Sequence, residues 1–134
     1  MKTIHLTKAD HHKLLVLVQA ERRISGDRFI GPLSQELKRA KLVESTAIPP
    51  DIITMNSVVR LREMRSKTEL EITLVYPKEA NVNSRKISIL APVATAVLGC
   101  RVGDTIKWPL PKGMATYKVE AILYQPEAAG DLTH

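Results

Sequence analysis

Between Ile87 and Gly113 the chain reads ISILAPVATAVLGCRVGDTIKWPLPKG, and this stretch limits the folds open to it. A short apolar run, Ile87 to Leu90, opens it. Pro92 ends that extended run yet suits the first turn of a helix, where its missing N–H goes unused. Val93, Ala96 and Val97 then recur at helical spacing, with Leu98 beside them. Gly99 supplies the left-handed residue that often closes a helix. Val102-Gly103-Asp104 reads as a turn, because glycine tolerates positive φ and the Asp side chain can bond the turn's backbone. Thr105 to Leu110 resumes as a strand, on which Trp108 alternates with Ile106 and Leu110; this predicts at least partial burial of the indole. Pro111-Lys112-Gly113 then turns the chain into a last strand.

The patterning before this unit changes period once. Lys2 to Leu6 reads as extended. Thr7 is a candidate N-cap, with Asp10 three residues on as an imperfect capping box. From Ala9 to Arg23, Leu14, Leu15 and Val18 recur at helical spacing, followed by Ile24. Ser25-Gly26-Asp27 breaks the pattern. Gly31-Pro32 opens a second helix, through Leu33, Leu37, Ala40 and Leu42. A connector this short predicts an antiparallel hairpin over residues 1–48. Pro49-Pro50 cannot continue a helix, which sets a linker at 44–52. The period then becomes two. Thr54 to Met64 reads as one strand, and Leu70, Ile72 and Leu74 mark another, ended by Pro77. Asn81 to Arg85 is a polar loop. Tyr117, Val119, Ala121 and Leu123 alternate along a final strand, and residues 125–134 read as a loose tail. The expected fold is α+β: a short antiparallel helical hairpin, then residues 49–134 as an antiparallel sheet with one short helix on its face.

Several chemistries are disfavoured. With five aromatics in 134 residues, the core must be mainly aliphatic, and neither an aromatic-lined pocket nor a base-stacking platform is expected. Cys100 is the single cysteine, so no intrachain disulfide and no multi-cysteine metal site is open to the chain. His11 and His12 are adjacent on a helix, about 100° apart, and so chelate one metal poorly. No nucleophile elbow surrounds a serine, although Ser88, Asp104 and His134 contain the residue types of a triad. No Walker or dinucleotide glycine pattern occurs. No catalytic residue, metal or cofactor is therefore assigned. The N-terminus lacks a long apolar segment, no run long enough to span a membrane exists, and a lone cysteine suits a reducing compartment; a cytoplasmic protein with no membrane partner is expected. The net charge is +6. Arg22, Arg23, Arg28, Lys38, Arg39 and Lys41 concentrate part of it on the hairpin, which leaves direct nucleic-acid contact open as a second reading.

The order of residues from Ile87 to Asp104 resembles the C-terminal domain of the Gre transcript-cleavage factors. It is most similar to their short relatives, the regulators of nucleoside diphosphate kinase (Rnk family). Ala91 stands before Pro92 where Gre factors usually carry Ser. Trp108-Pro109-Leu110-Pro111 follows the Gly-Asp turn, and Leu123-Tyr124-Gln125-Pro126-Glu127 closes the pattern. Ile48-Pro49-Pro50-Asp51 and Thr54-Met55-Asn56-Ser57 also look like that family. The resemblance implies an FKBP-like sheet behind a helical hairpin.

It also implies a partner. Gre-type proteins dock on RNA polymerase, at the rim of the secondary channel, through this domain. The loop and short helix Ala91, Pro92, Val93, Ala94 and Thr95 form the candidate contact. Gre factors carry acidic residues at the tip of a long coiled coil, where they hold a magnesium ion in the polymerase and promote cleavage of backtracked RNA. Magnesium commonly takes a pair of carboxylates. Here the connector offers Asp27 alone, flanked by Arg23 and Arg28, on an arm of about 22 Å. The expectation is a non-catalytic transcription regulator that binds polymerase, competes with cleavage factors and does not stimulate cleavage.

Overall fold

Thr7 starts the first helix by accepting the Asp10 amide on its Oγ1 at 3.0 Å. In the computed structural model, which describes residues 4–26, 30–110 and 113–130 and omits the side chains of 108–110, this helix is α1, Lys8–Ser25. It follows a short strand, β1, His5–Thr7. Arg22 and Arg23 in the last turn complement the helix dipole. Gly26, at φ 66°, ends the helix and returns its N–H to the Arg22 carbonyl. The second helix, α2, Gly31–Arg39, carries Pro32 in its first turn. Leu14 and Val18 of α1 and Leu33 and Leu37 of α2 are buried. His11 Nε2 lies 3.1 Å from the Leu37 carbonyl and braces the pair.

α2 stops short of the expected end. Ala40 turns to extended geometry and Lys41–Val43 forms a strand, β2, parallel to β1. The Lys41 amide bonds the Ile4 carbonyl, and Leu42 lies opposite Leu6. Leu42 is therefore a strand residue, 41% exposed, and not the last apolar position of a helix. Strand pairing to β1 overrides the helical spacing, because β1 comes from outside the local window.

Five strands form the main sheet: β3 Val58–Glu63, β4 Glu69–Val75, β5 Lys86–Ser88, β6 Thr105–Leu110 and β7 Gly113–Tyr124. Their order is β5-β4-β3-β7-β6; β4 and β5 run parallel and the other neighbours are antiparallel. A short helix, α3, Pro92–Val97, lies between β5 and β6. The α+β reading holds, with two changes of detail. Residues 54–57 form a turn that precedes β3. The register along β7 shifts at Glu120 and again at Leu123, where β3 pairs step from Val119 to Ala121 and from Ile122 to Tyr124. Each shift exchanges the faces, so Leu123 is exposed and strict alternation along β7 is lost.

Both helices and the sheet share one core. Leu6, Leu14, Leu33 and Leu37 join Ile53, Met55, Leu61, Leu74, Ile89 and Val97 in a single buried cluster. The opposite face of the sheet is ionic: Arg62 pairs with Glu69 and Glu120, and Arg60 with Glu69. The hydrogen bond from Arg62 holds the Glu120 carboxyl below its usual range.

β1 docks on the chain just after α3. The His5 amide bonds the Gly99 carbonyl at 3.3 Å. Gly99 sits at φ 78°, and a Cβ there would stand 2.7 Å from Ile4 Cβ. Gly103 also has positive φ, 97°, but its missing side chain faces open space. We expect Gly99→Ala to cost about 2 kcal/mol or more, and Gly103→Ala only the backbone strain of about 1 kcal/mol. Urea unfolding of the two variants measures the difference; equal losses would mean that β1 is not pinned at Gly99.

His5 supplies a pH test of the same junction. Burial first, then the charges of Arg101 and Lys41, hold its imidazole below the ordinary value of 6.5. A base whose pKa falls on folding is bound by protons more readily when unfolded. Its contribution is therefore present above pH 6.5 and is lost as pH falls below it. The urea midpoint should drop more between pH 7 and pH 5 in the parent than in His5→Gln; parallel drops would rule His5 out.

Candidate functional site

Ala91 precedes α3 in extended geometry, and Pro92 occupies its first turn. Pro92 is exposed, while Ala91 and Val93 are half-buried. Ala94 and Thr95 are buried. Thr95 Oγ1 donates to the Ile89 carbonyl at 2.6 Å, which ties α3 back to the end of β5. Of the five residues expected to meet a partner, Ala94 and Thr95 thus serve the core. The helical period turns them inward, and a surface remains at Ala91, Pro92 and Val93.

The hairpin tip is only partly described. Arg23 is exposed in the last turn of α1. Asp27 and Arg28 lie outside the described residues. α1 is 18 residues long, about 27 Å, somewhat more than the sequence pattern suggested.

The other residues singled out by sequence have structural partners. Asp104 Oδ2 accepts the Arg101 amide at 2.9 Å, and the Asp104 carbonyl accepts the Val119 amide. Ser88 Oγ accepts the Leu90 amide. Cys100 is buried, with its thiol 3.4 Å from the Ala96 carbonyl. His12 is exposed. His134 and the ring of Trp108 lie outside what is described. Among the described residues, no three His, Cys, Asp or Glu side chains are grouped as for a metal ion.

A polar seam went unread in the sequence. Asp10, 2% exposed, accepts the Met55 amide on Oδ2 at 3.1 Å and so joins α1 to the turn before β3. Within that turn Ser57 Oγ accepts the Thr54 amide, and Asn56 takes φ 67° while donating its amide to the Leu74 carbonyl. Thr54 Oγ1 donates to Glu127 at 2.7 Å. Gln125 Nε2 donates to the carbonyls of both Pro49 and Ile52, at 2.8 and 2.7 Å. The start of the expected loose tail is therefore buried and anchored. Arg101 reaches Asp51 with two contacts of 3.1 and 3.2 Å. Tyr76 packs on the same core, and burial, reinforced by Asp10, pushes its hydroxyl pKa up. The available signal was the clustering of Thr, Ser, Gln and Glu at 54–57 and 125–127, but nothing local pairs residues so far apart.

Several of these residues fall in or beside the stretches that carried the resemblance, at 48–51, 54–57, 87–111 and 123–127. The family described as "Transcription elongation factor, GreA/GreB, C-term" matches residues 48–124. The chain belongs to this family. It is 38% identical over 130 residues to the "Regulator of nucleoside diphosphate kinase" of Escherichia coli strain K12, covering 96% of this chain and 95% of that protein. It is 36% identical over 87 residues to the transcription elongation factor GreA of Syntrophomonas wolfei, covering 65% of this chain and 55% of that one. The solved structure titled "Prokaryotic transcription elongation factor GreA/GreB from Nitrosomonas europaea" superposes with a TM-score of 0.76 at 38% identity, over 90% of this chain and 99% of that chain. In this GreA/GreB-type fold the family stretches at 48–57 and 123–127 hold the framework together.

Asp10→Ala would leave the buried Met55 N–H without its acceptor. We expect a loss of about 1–3 kcal/mol in urea unfolding. Lys13→Ala, at an exposed site on the same helix, should stay within about 0.5 kcal/mol. A small loss at Asp10 would mean that the α1 to Met55 bond contributes little.

Proposed function

We propose that this protein is a non-catalytic transcription regulator that binds RNA polymerase beside the secondary channel and does not stimulate transcript cleavage. The carrying observation is the family match over residues 48–124, with α3 intact within it. Ala91, Pro92 and Val93 form the proposed contact. The helical hairpin, residues 1–48, acts as a short arm on the docking domain, residues 49–134. Its connector supplies one carboxylate, Asp27, between Arg23 and Arg28. A magnesium ion needs hard oxygen donors, and two guanidinium groups beside a single one oppose it. By occupying the dock, the protein competes with cleavage factors. Cytoplasmic action follows from that partner.

The test is a backtracked elongation complex with labelled RNA. Adding this protein alone should leave the RNA uncut. Adding it before a true cleavage factor should slow cutting, and Pro92→Glu should relieve that inhibition at least tenfold by placing a charge on the contact. Asp27→Ala should bind polymerase as the parent does, because a single screened charge contributes little. Strong cleavage by the purified protein would show that the arm is active. Absence of polymerase binding would refute the reading and favour the basic hairpin as a nucleic-acid contact.

A further inference from the structure

A groove of about 510 Å³ runs between α1, α2 and β2, away from α3. One wall is the α1 stripe His11, Leu15, Val18 and Arg22, whose spacing of four, three and four residues keeps it on one face. Leu37 and Lys38 of α2 and Leu42 of β2 form the other wall. Leu15 is 38% exposed, so the apolar floor extends to the surface. No carboxylate is among its lining residues, whereas Arg22, Lys38 and His11 are. The nearby Glu36 and Glu44 face other cations, Arg39 and Lys8. From His11 to Arg22 the stripe spans about 16 Å, which matches three helical turns.

We propose that this groove binds an acidic amphipathic helix of a partner protein. Apolar side chains at helical spacing seat on the exposed parts of Leu15 and Leu42, above the buried Val18 and Leu37, and a flanking carboxylate meets Lys38. This is a helix-in-groove contact whose orientation is set by charge. Nucleic acid fits less well, since the floor is aliphatic and the lining holds no aromatic ring on which a base could stack. The inference goes beyond the polymerase dock at α3 and stands or falls separately from it.

The probe is a pair of fluorescein-labelled, helix-stapled twelve-residue peptides. Both carry Leu at positions i, i+4 and i+7, flanked by Glu in one and by Lys in the other. Anisotropy titration against the full chain should show saturable binding of the Glu peptide, at least tenfold tighter than the Lys peptide. Binding should weaken as salt is raised. Leu15→Glu should reduce it at least tenfold. Lys38→Glu, at an exposed position, should reverse the preference between the peptides and serves as the second variant if Leu15→Glu perturbs folding. Equal binding of both peptides, tighter binding of a single-stranded oligonucleotide competed by the peptide, or a concentration-dependent dimer that Lys38→Glu dissolves would each overturn the proposal.

Discussion

The backbone of residues 52–55 is the point on which the rest of the structure depends. The Ile53 amide donates to the Cys100 carbonyl, and the Ile53 carbonyl accepts the Gly99 amide. The Ile52 carbonyl accepts from Gln125, and the Met55 amide donates to Asp10. Four short backbone groups thus connect α1, the end of α3 and the end of β7. All of them are buried, so each unmade bond would carry the full cost of desolvation. Ile52, Ile53 and Met55 place their side chains in the fully buried interior at the same time. Satisfying the polar groups and packing the core are one geometric problem here, and the segment admits few alternative paths.

This explains which parts of the fold could be read from the chain. Local signals agree with the structure at Thr7, which caps α1, at Pro92, which opens α3, and at Gly103-Asp104, which turns. Each of these depends on neighbours within a few residues. Gly99 has the expected positive φ, but α3 ends at Val97 with Leu98 as its extended cap, and the Gly99 amide bonds the Ile53 carbonyl and not the helix. The misreadings share the opposite property. Leu42 looked helical because Leu33 and Leu37 precede it, but a strand 36 residues upstream captured it. Gln125 and Glu127 looked like tail residues because their partners sit at 49–54. Leu123 kept the alternating pattern, yet a register shift against β3 sent it to solvent.

The candidate surface was less legible than the fold. The contact on residues 91–95 was implied by the family resemblance, and only the short helix that carries it was readable from the local pattern. That pattern could not say which of the five face outward. A six-residue helix packed on a sheet buries one side, and Thr95 bonding to the Ile89 carbonyl decides which side that is. Thr95 is polar, yet its hydroxyl is bonded to that carbonyl and lies inside. Burial turned it into a strut.

The same geometry links the two ends of the molecule. From the last turn of α3 the path to the hairpin runs through Leu98 and Gly99, across one hydrogen bond to His5, through three residues of β1, and into the Thr7 cap of α1. Leu98 and Gly99 are both buried along that path. Under the proposed function, a partner that gripped Ala91, Pro92 and Val93 would therefore also set the direction of α1. A clash at the hairpin would have to be accommodated by moving the docked helix or by breaking the Gly99 junction. Under the proposed function, docking and aiming would thus be one event. The arm's reach, about 27 Å along α1, is set by where Gly26 stops that helix. Lengthening α1 would extend the reach without altering the dock, whereas loosening Gly99 would uncouple the two.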